Sequence, residues 1–146
     1  MLIGIPSILS PALLKVLCEM GHSDTIVLAD GNFPAQSIAA GAPVIRCDGH
    51  GIPELLDAIL QVFPLDRYVM QPVHLMQVMP DDPVQTPIWK EYEAIIKKYD
   101  PRGKACIGSF ERFAFYEEAR HAYAIIATGE TALYGNIILQ KGVVQA

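Results

Sequence analysis

Thr25-Ile26-Val27-Leu28-Ala29-Asp30 is a short, continuously apolar run that ends on a carboxylate. Such a run is typical of a β-strand that is buried on both faces, as the strands of a parallel sheet are. Ser10-Pro11 upstream predicts a helix start, because a serine side chain caps free N–H groups and proline is tolerated at the first helical position. A helix followed by a buried strand predicts an α/β arrangement.

The rest of the chain continues this alternation of helical stripes and short apolar runs. We predict helices over residues 11–20, 35–40, 53–63, 88–99 and 109–121, with Gly21 capping the first and Ser109 starting the last. We predict strands over residues 25–29, 43–47, 73–78, 105–107, 122–127 and 137–140. The sequence therefore predicts one domain, residues 1–146, with a three-layer α/β fold: helices on both faces of a mostly parallel, mixed sheet.

Composition excludes several classes of function. Apolar residues make up 51% of the chain and charged residues 18%, and the formal net charge is −5. A mildly acidic chain lacks the basic surface that nucleic acid or an anionic membrane attracts. No apolar run approaches the roughly 20 residues that span a bilayer. The high apolar share indicates surface buried between subunits, although a well-filled monomeric core is the alternative.

Cysteine, glycine and histidine patterns argue against disulfides, nucleotides and metals. Cys18, Cys47 and Cys106 are odd in number and far apart, which is typical of reduced thiols in a cytoplasmic protein, and we expect no signal peptide. Gly49-His50-Gly51 is followed by Glu54, where a dinucleotide fingerprint needs its third glycine. The histidines form no zinc motif. We therefore expect neither a cofactor nor a metal.

Asp30 and His22 flank the first predicted strand. In open α/β sheets, ligands bind beyond the carboxyl ends of the strands, where the Asp30 carboxylate can accept hydrogen bonds from ligand hydroxyls. The alternative for Asp30 is a turn or helix-capping role. His22 follows a helix end, where the dipole favours imidazolium, and a histidine can both give and take a proton near neutral pH. The alternative for His22 is an exposed side chain without a function.

Arg112 and the segment Tyr134-Gly135-Asn136 are the remaining polar candidates. Arg112 falls in the first turn of a predicted helix, where the dipole disfavours a cation, so another group is expected to hold it. Its planar fork of donors suits paired oxygens, and an ion pair with Glu111 or Glu117 is the alternative. Tyr134-Gly135-Asn136 joins the last two predicted strands, either as a binding element or simply as a tight turn.

Ordered motifs run along nearly the whole chain, which makes them jointly far more specific than any one alone. They are Ser10-Pro11-x-Leu13-Leu14, Glu19-Met20-Gly21-His22, Ala29-Asp30-Gly31-Asn32-Phe33-Pro34-Ala35, Val44-Ile45-Arg46-Cys47-Asp48-Gly49, Arg112-Phe113-Ala114-Phe115-Tyr116-Glu117, Thr128-Gly129-Glu130 and Tyr134-Gly135-Asn136-Ile137-Ile138-Leu139. Together they resemble the family that contains L-fucose mutarotase and D-ribose pyranase. Arg112 and the aromatic block after it resemble the fucose branch, because the ribose branch tends to carry histidine at that position.

The resemblance implies an isomerase that interconverts the anomers of a free monosaccharide, L-fucose or a related sugar, without a cofactor. It implies that His22 is the proton donor. The implied sugar contacts are Asp30, Arg112, Tyr134, Gly135 and Asn136, with the rings of Phe113 and Tyr116 as candidate packing surfaces. It further implies a cytoplasmic homo-oligomer, a ring-shaped decamer whose sites lie near subunit contacts.

The expected chemistry is ring opening and closure. The ring oxygen of the sugar takes a proton from His22 as its bond to C1 breaks, and the anomeric hydroxyl loses a proton to Asp30, Tyr134 or a water. The carbonyl then rotates and the ring closes on its other face. The alternatives are pyranose–furanose interconversion of D-ribose and a non-catalytic monosaccharide-binding oligomer. Asn32 stands where some fucose-branch members carry histidine, which leaves the identity of the sugar open.

Overall fold

A computed structural model describes residues 1–146. At its centre is a six-stranded sheet with the order β2-β5-β1-β6-β3-β4. The strands are β1 Thr25–Ala29, β2 Val44–Cys47, β3 Val73–Met76, β4 Ile107–Phe110, β5 Ala124–Thr128 and β6 Ile137–Gln140. β6 pairs antiparallel with both β1 and β3, whereas the other pairings are parallel. The predicted mostly parallel, mixed sheet is confirmed.

Helices cover both faces of this sheet, as predicted. They are α1 Pro11–Glu19, α2 Ala35–Ala39, α3 Ile52–Leu60, α4 Ile88–Tyr99 and α5 Arg112–Arg120, with a 3-10 turn at Gly103–Cys106. α1, α3 and α4 pack on the face that receives Ile26 and Leu28 of β1, and α2 and α5 pack on the face that receives Val27 and Ala29. Because successive residues of a strand point to opposite faces, the continuous apolar run of β1 contributes to both cores.

β1 lies between β5 and β6, and the two polar candidates Asp30 and His22 lie beyond its opposite ends. Asp30 follows its last residue, at the edge where β3 and β4 also end and β6 begins. His22 precedes its first residue and therefore lies toward the opposite edge. No helix of the chain is both long enough and apolar enough to cross a membrane.

Several local predictions were wrong: α3 and β3 end earlier than predicted, at Leu60 and Met76, and three further differences have a visible cause. Ser109 does not cap α5, because β4 continues through Phe110; instead, the Glu111 carboxylate accepts the N–H groups of Phe113 and Ala114 at 3.0 and 3.2 Å. The strand predicted over 105–107 is largely a 3-10 turn, and pairing with β3 begins only at Ile107. α1 ends at Glu19, one residue early, because Met20 is already extended, so Gly21 is not its cap.

Candidate active site

A pocket of about 240 Å³ opens at the carboxyl edge of β1 and β3. It is lined by Asp30, Asn32, Phe33, Met76, Asp82, Arg112, Tyr116, Leu133, Tyr134 and Asn136. Four of the predicted sugar contacts, Asp30, Arg112, Tyr134 and Asn136, thus share one cavity. The location is the one at which open α/β sheets bind ligands.

Asp30 and Asn136 form a buried pair at the base of this pocket. The Asn136 Oδ1 accepts the Asp30 backbone N–H at 2.7 Å, and the Asn136 Nδ2 donates to the Asp30 Oδ2 at 3.0 Å. The Asn32 N–H donates to the other carboxylate oxygen at 3.0 Å, so the turn predicted for Asp30 coexists with its place in the pocket. Each carboxylate oxygen retains acceptor capacity, and Asn136 retains one amide proton for a ligand.

Burial raises the pKa of Asp30, while hydrogen bonds from Asn32 and Asn136 oppose that effect and the nearby Glu130 carboxylate adds to it. When a carboxylate is desolvated and its only hydrogen-bond donors are neutral amides, additional donors strongly stabilise its ionised form. The Asp30 carboxylate is therefore well suited to accept hydrogen bonds from ligand hydroxyls.

The Tyr134-Gly135-Asn136 segment is held in place by α4. The Trp89 Nε1 donates to the Tyr134 carbonyl at 2.9 Å, and the Tyr92 hydroxyl donates to the Gly135 carbonyl at 2.7 Å. Tyr134 has a left-handed backbone, with φ of 57°. A Cβ on Gly135 would approach the Ala132 carbonyl oxygen to 3.0 Å, so glycine allows the segment to pack closely. Only Leu133 and Tyr134 form a turn within the longer connection between β5 and β6, and the segment carries two pocket side chains.

Arg112 is the first residue of α5, and a tyrosine holds it rather than a carboxylate. Its Nε donates to the Tyr116 hydroxyl at 3.3 Å, and its guanidinium lies 5.5 and 5.6 Å from the ring centres of Phe113 and Tyr116. Glu111 caps the helix and Glu117 pairs with Arg120, so the ion pair considered from sequence is not formed. Tyr116 lines the pocket, whereas Phe113 is mostly exposed beside it.

His22 lies outside this pocket. Five residues of β1, each rising about 3.3 Å, separate it from Asp30 by about 16 Å along the strand. The His22 Nε2 is 3.1 Å from the Asp66 Oδ2, and the Tyr68 ring centre is 5.3 Å away. The imidazole is 43% exposed, and no group of the chain bonds its Nδ1. The ring is therefore oriented by Asp66 and presents Nδ1 outward.

Asp66 is a site residue that the sequence did not indicate. Only 1% of it is exposed. Burial by itself raises its pKa, but hydrogen bonds from the Tyr68 N–H, His22 and Gln140 outweigh that effect and bring the pKa below its usual range. Asp66 and His22 are 44 positions apart in the sequence, and no local sequence pattern predicts a contact over that separation.

A guanidinium braces the loop that carries Asp66. Arg102 donates to the carbonyls of Asp66 and Val69, both at 2.9 Å, and pairs with the buried Asp100 at 2.8 Å. On the other side, the Asp66 N–H donates to the Gln140 carbonyl at 3.0 Å. These contacts hold the Asp66 backbone on both sides, so its carboxylate is positioned beside His22.

The fold and its two polar centres define a small α/β protein with a pocket lined by carboxylate, amide, guanidinium and phenol groups and a separate histidine–aspartate pair. The sequence model of the RbsD / FucU transport protein family matches residues 3–144, and the chain belongs to that family. The resemblance expected from the sequence is confirmed.

Solved structures and a human relative agree with this assignment. FucU from Bifidobacterium longum is 62% identical, with a TM-score of 0.96 over 97% of this chain and 99% of that one. The fucose mutarotase from Streptococcus pneumoniae in complex with L-fucose is 50% identical, with a TM-score of 0.91 over 99% and 100%. The human fucose mutarotase is 52% identical over 96% of this chain and 92% of its own.

Proposed function

We propose that this protein is an isomerase that interconverts the α and β anomers of L-fucose through acid–base assisted ring opening. The observation that carries the proposal is the pocket in which Asp30, Asn136 and Arg112 converge. It offers carboxylate acceptors and amide and guanidinium donors to the hydroxyls of a neutral sugar. The full-length similarity to the fucose mutarotase that was solved with L-fucose supports this choice of substrate.

His22 is the proposed acid. With its Nε2 directed at the Asp66 carboxylate, a protonated imidazole presents the Nδ1–H to the ring oxygen of the sugar. The ring oxygen takes that proton as its bond to C1 breaks. The anomeric hydroxyl gives its proton to Asp30, to a water, or to Tyr134, whose own proton then passes to the Asp82 carboxylate. After the carbonyl rotates, the reverse transfers close the ring on its other face.

The distance between the acid and the pocket supports a site shared between subunits. A monosaccharide is too short to reach from the pocket beside Asp30 to His22 of the same chain, because β1 lies between them. Large apolar side chains are exposed in both parts of the chain, Tyr68 and Met70 in the loop after Asp66 and Phe113 and Leu133 around the pocket. Joining two different surfaces head to tail generates a ring when the rotation between subunits closes. We propose that His22 serves the pocket of a neighbouring subunit.

The ring-shaped decamer and the cytoplasmic location remain predictions. The two exposed apolar regions support association of subunits, and light scattering on the purified protein measures its mass directly. A monomer at micromolar concentration would contradict the shared site. The absence of cysteine pairing supports a reducing compartment.

Saturation-transfer NMR tests the activity. We expect the protein to accelerate exchange between the anomer signals of L-fucose, and D-ribose serves as the comparison sugar. Faster exchange only between the ring forms of D-ribose would favour the pyranase alternative. Tight binding of L-fucose without faster exchange would identify a sugar-binding protein and contradict the enzymatic proposal.

Mixing two inactive variants tests whether the site is shared. His22→Ala lacks the acid and Asp30→Ala lacks the sugar contact, so each oligomer alone is expected to be inactive. After unfolding and refolding together, a head-to-tail ring combines an intact His22 with an intact Asp30 at about one contact in four, restoring a corresponding part of the activity. If both groups act within one chain, the mixture stays inactive.

A further inference from the structure

The loop between β3 and α4 encloses the hydroxyl of Tyr134. The Asp82 N–H donates to the Met79 carbonyl at 3.0 Å and closes a turn over the tyrosine. The Met79 N–H approaches the Tyr134 hydroxyl oxygen at 3.4 Å, and the Tyr134 hydroxyl lies 2.7 Å from the Asp82 Oδ2. The turn thus contacts the hydroxyl from two sides while the phenol remains part of the pocket wall.

The donors and acceptors that are available determine the direction of the hydrogen bond between Tyr134 and Asp82. An ionised carboxylate only accepts, so the single proton of the Tyr134 hydroxyl points to Asp82. The other Asp82 oxygen accepts the Val84 N–H at 3.1 Å, which holds the carboxylate in place. One lone pair of the Tyr134 oxygen faces the Met79 N–H. Because the hydroxyl proton is engaged by Asp82, a ligand that bonds to the Tyr134 oxygen must act as the donor.

The pocket then has a defined polarity. Asp30 and Tyr134 accept hydrogen bonds, whereas Arg112 and the free amide proton of Asn136 donate them. A tyrosine without a carboxylate partner could rotate its hydroxyl and serve in either role. The Asp82 contact removes that freedom before the sugar arrives, which is a form of pre-organisation.

We propose that Asp82 is a specificity-determining residue, which fixes the Tyr134 hydroxyl as a hydrogen-bond acceptor so that the pocket selects a sugar hydroxyl that donates to it. The proposal rests on the proposed function, because it concerns recognition of the sugar at that same site. Asp82 acts through Tyr134 and is a positioning residue in this role. A site built to pair with a ligand hydroxyl discriminates strongly against an analogue that lacks it.

A double-mutant cycle on L-fucose binding tests the proposal in the intact oligomer. We expect Asp82→Asn and Tyr134→Phe each to raise the Kd for L-fucose about tenfold, which is the scale of one hydrogen bond. Because Asp82 acts through the hydroxyl, the double variant should bind no more weakly than Tyr134→Phe alone. Asp81→Asn is the matched control, since Asp81 is exposed and does not line the pocket, and it should bind L-fucose normally.

Two results of the cycle would overturn the proposal. Fully additive losses would mean that Asp82 contacts the sugar independently of Tyr134. An unchanged Kd in Asp82→Asn would mean that it contributes nothing to recognition. Single-deoxy analogues of L-fucose then identify the sugar hydroxyl that donates to Tyr134. The analogue that lacks this hydroxyl should bind the wild type about tenfold more weakly than L-fucose does. The same analogue and L-fucose should bind Tyr134→Phe with equal affinity. If no analogue behaves so, no sugar hydroxyl donates to Tyr134.

A second readout is independent of sugar binding. The hydrogen bond to Asp82 raises the pKa of the Tyr134 hydroxyl above its ordinary value. NMR titration of tyrosine labelled at the ring carbon that bears the hydroxyl should show a lower pKa for Tyr134 in Asp82→Asn, with no such change in Asp81→Asn. An unchanged pKa would overturn the proposal. If the wild type does not bind L-fucose, the proposed function fails first, and this titration alone decides whether Asp82 controls the hydroxyl.

Discussion

The two ends of β1 each have a buried aspartate, yet the two carboxylates lie in opposite surroundings. Near the start of the strand, Asp66 is desolvated but accepts hydrogen bonds from His22, Gln140 and a backbone N–H, and its pKa is lowered. Beyond the end of the strand, Asp30 is also a buried residue, but burial is the largest effect on its carboxylate, its hydrogen-bond donors are all neutral amides, Glu130 lies close by, and its pKa is raised.

The comparison shows that burial alone does not decide which form a carboxylate favours, because the partners do. Asp66 is held as an anion facing an imidazole that can carry the opposite charge. Asp30 is short of donors, and a bound sugar can supply them. We infer a division of labour in which the His22 end of the strand supplies the proton to the ring oxygen and the Asp30 end holds the ligand.

The largest expected effect comes from removing the imidazole. We expect His22→Ala to slow anomer exchange about 10²- to 10⁴-fold, the usual contribution of a general acid, while leaving the pocket around Asp30 intact. Saturation-transfer NMR measures the exchange rate. His121→Ala is the matched control, because His121 is exposed at the end of α5. Full exchange rates in His22→Ala would remove the proposed acid and leave the fold assignment untouched.

Disrupting the other end of the strand should affect folding as well as binding. Asn136→Ala removes both hydrogen bonds between Asn136 and Asp30, and it leaves the buried Asp30 N–H and one Asp30 carboxylate oxygen without these partners. We expect the free energy of unfolding to fall by about 1–3 kcal/mol, measured by urea denaturation. Asn32→Ala, an exposed neighbour whose side chain makes no such contacts, should change it little. Equal stability of both variants would contradict this account of the pair.

Replacing Arg112 should change sugar binding without a large change in stability. It is exposed and makes no ion pair, so Arg112→Lys should alter the free energy of unfolding by no more than about 0.5 kcal/mol. Lysine lacks the planar fork, and we expect the Kd for L-fucose to rise about tenfold, measured by calorimetry. Arg120→Lys, at the opposite end of α5, is the control and should bind normally. A similar Kd for both variants would remove Arg112 from the sugar site.

Much of this architecture could be predicted from local sequence. The continuous apolar run of β1 indicated burial on both faces, and the position of Asp30 after it indicated the edge of the sheet at which the pocket opens. The Tyr134-Gly135-Asn136 segment reached the same pocket because β6 begins where β1 ends. Periodicity and strand direction are sufficient for such predictions.

The rest depends on contacts between distant parts of the chain. Asp66 meets His22 across 44 residues, and Asp82 meets Tyr134 across 52, in each case from a loop without a periodic pattern. The cap of α5 was mispredicted because the length of β4 is set by pairing with β3, which local propensity does not reveal. Proximity in sequence also misleads: Asp30 is only eight positions after His22, yet a whole strand lies between them.

The smallest expected effect is a difference in pH dependence between the two aspartates. For Asp66, the folded pKa is below the unfolded one, so its stabilisation is complete above the ordinary value of about 3.9 and is lost as the pH falls through the folded pKa. For Asp30, the folded pKa is above the unfolded one, so its ionised form destabilises the protein at neutral pH. That penalty disappears as the pH falls from above the raised pKa to the ordinary value.

Urea unfolding at a series of pH values separates these signs. Relative to Asp30→Asn, the wild type should become more stable on acidification toward about pH 4; relative to Asp66→Asn, it should become less stable below that pH. Each unit of difference in pKa is worth about 1.4 kcal/mol. Hydrogen bonds lost in the variants shift the curves by amounts that do not vary with pH, so the slopes carry the result. If both stability differences changed with pH in the same direction, the hydrogen-bond partners of Asp30 and Asp66 would not shift their pKa values in opposite directions. The inferred division of labour along β1 would then lose its electrostatic basis.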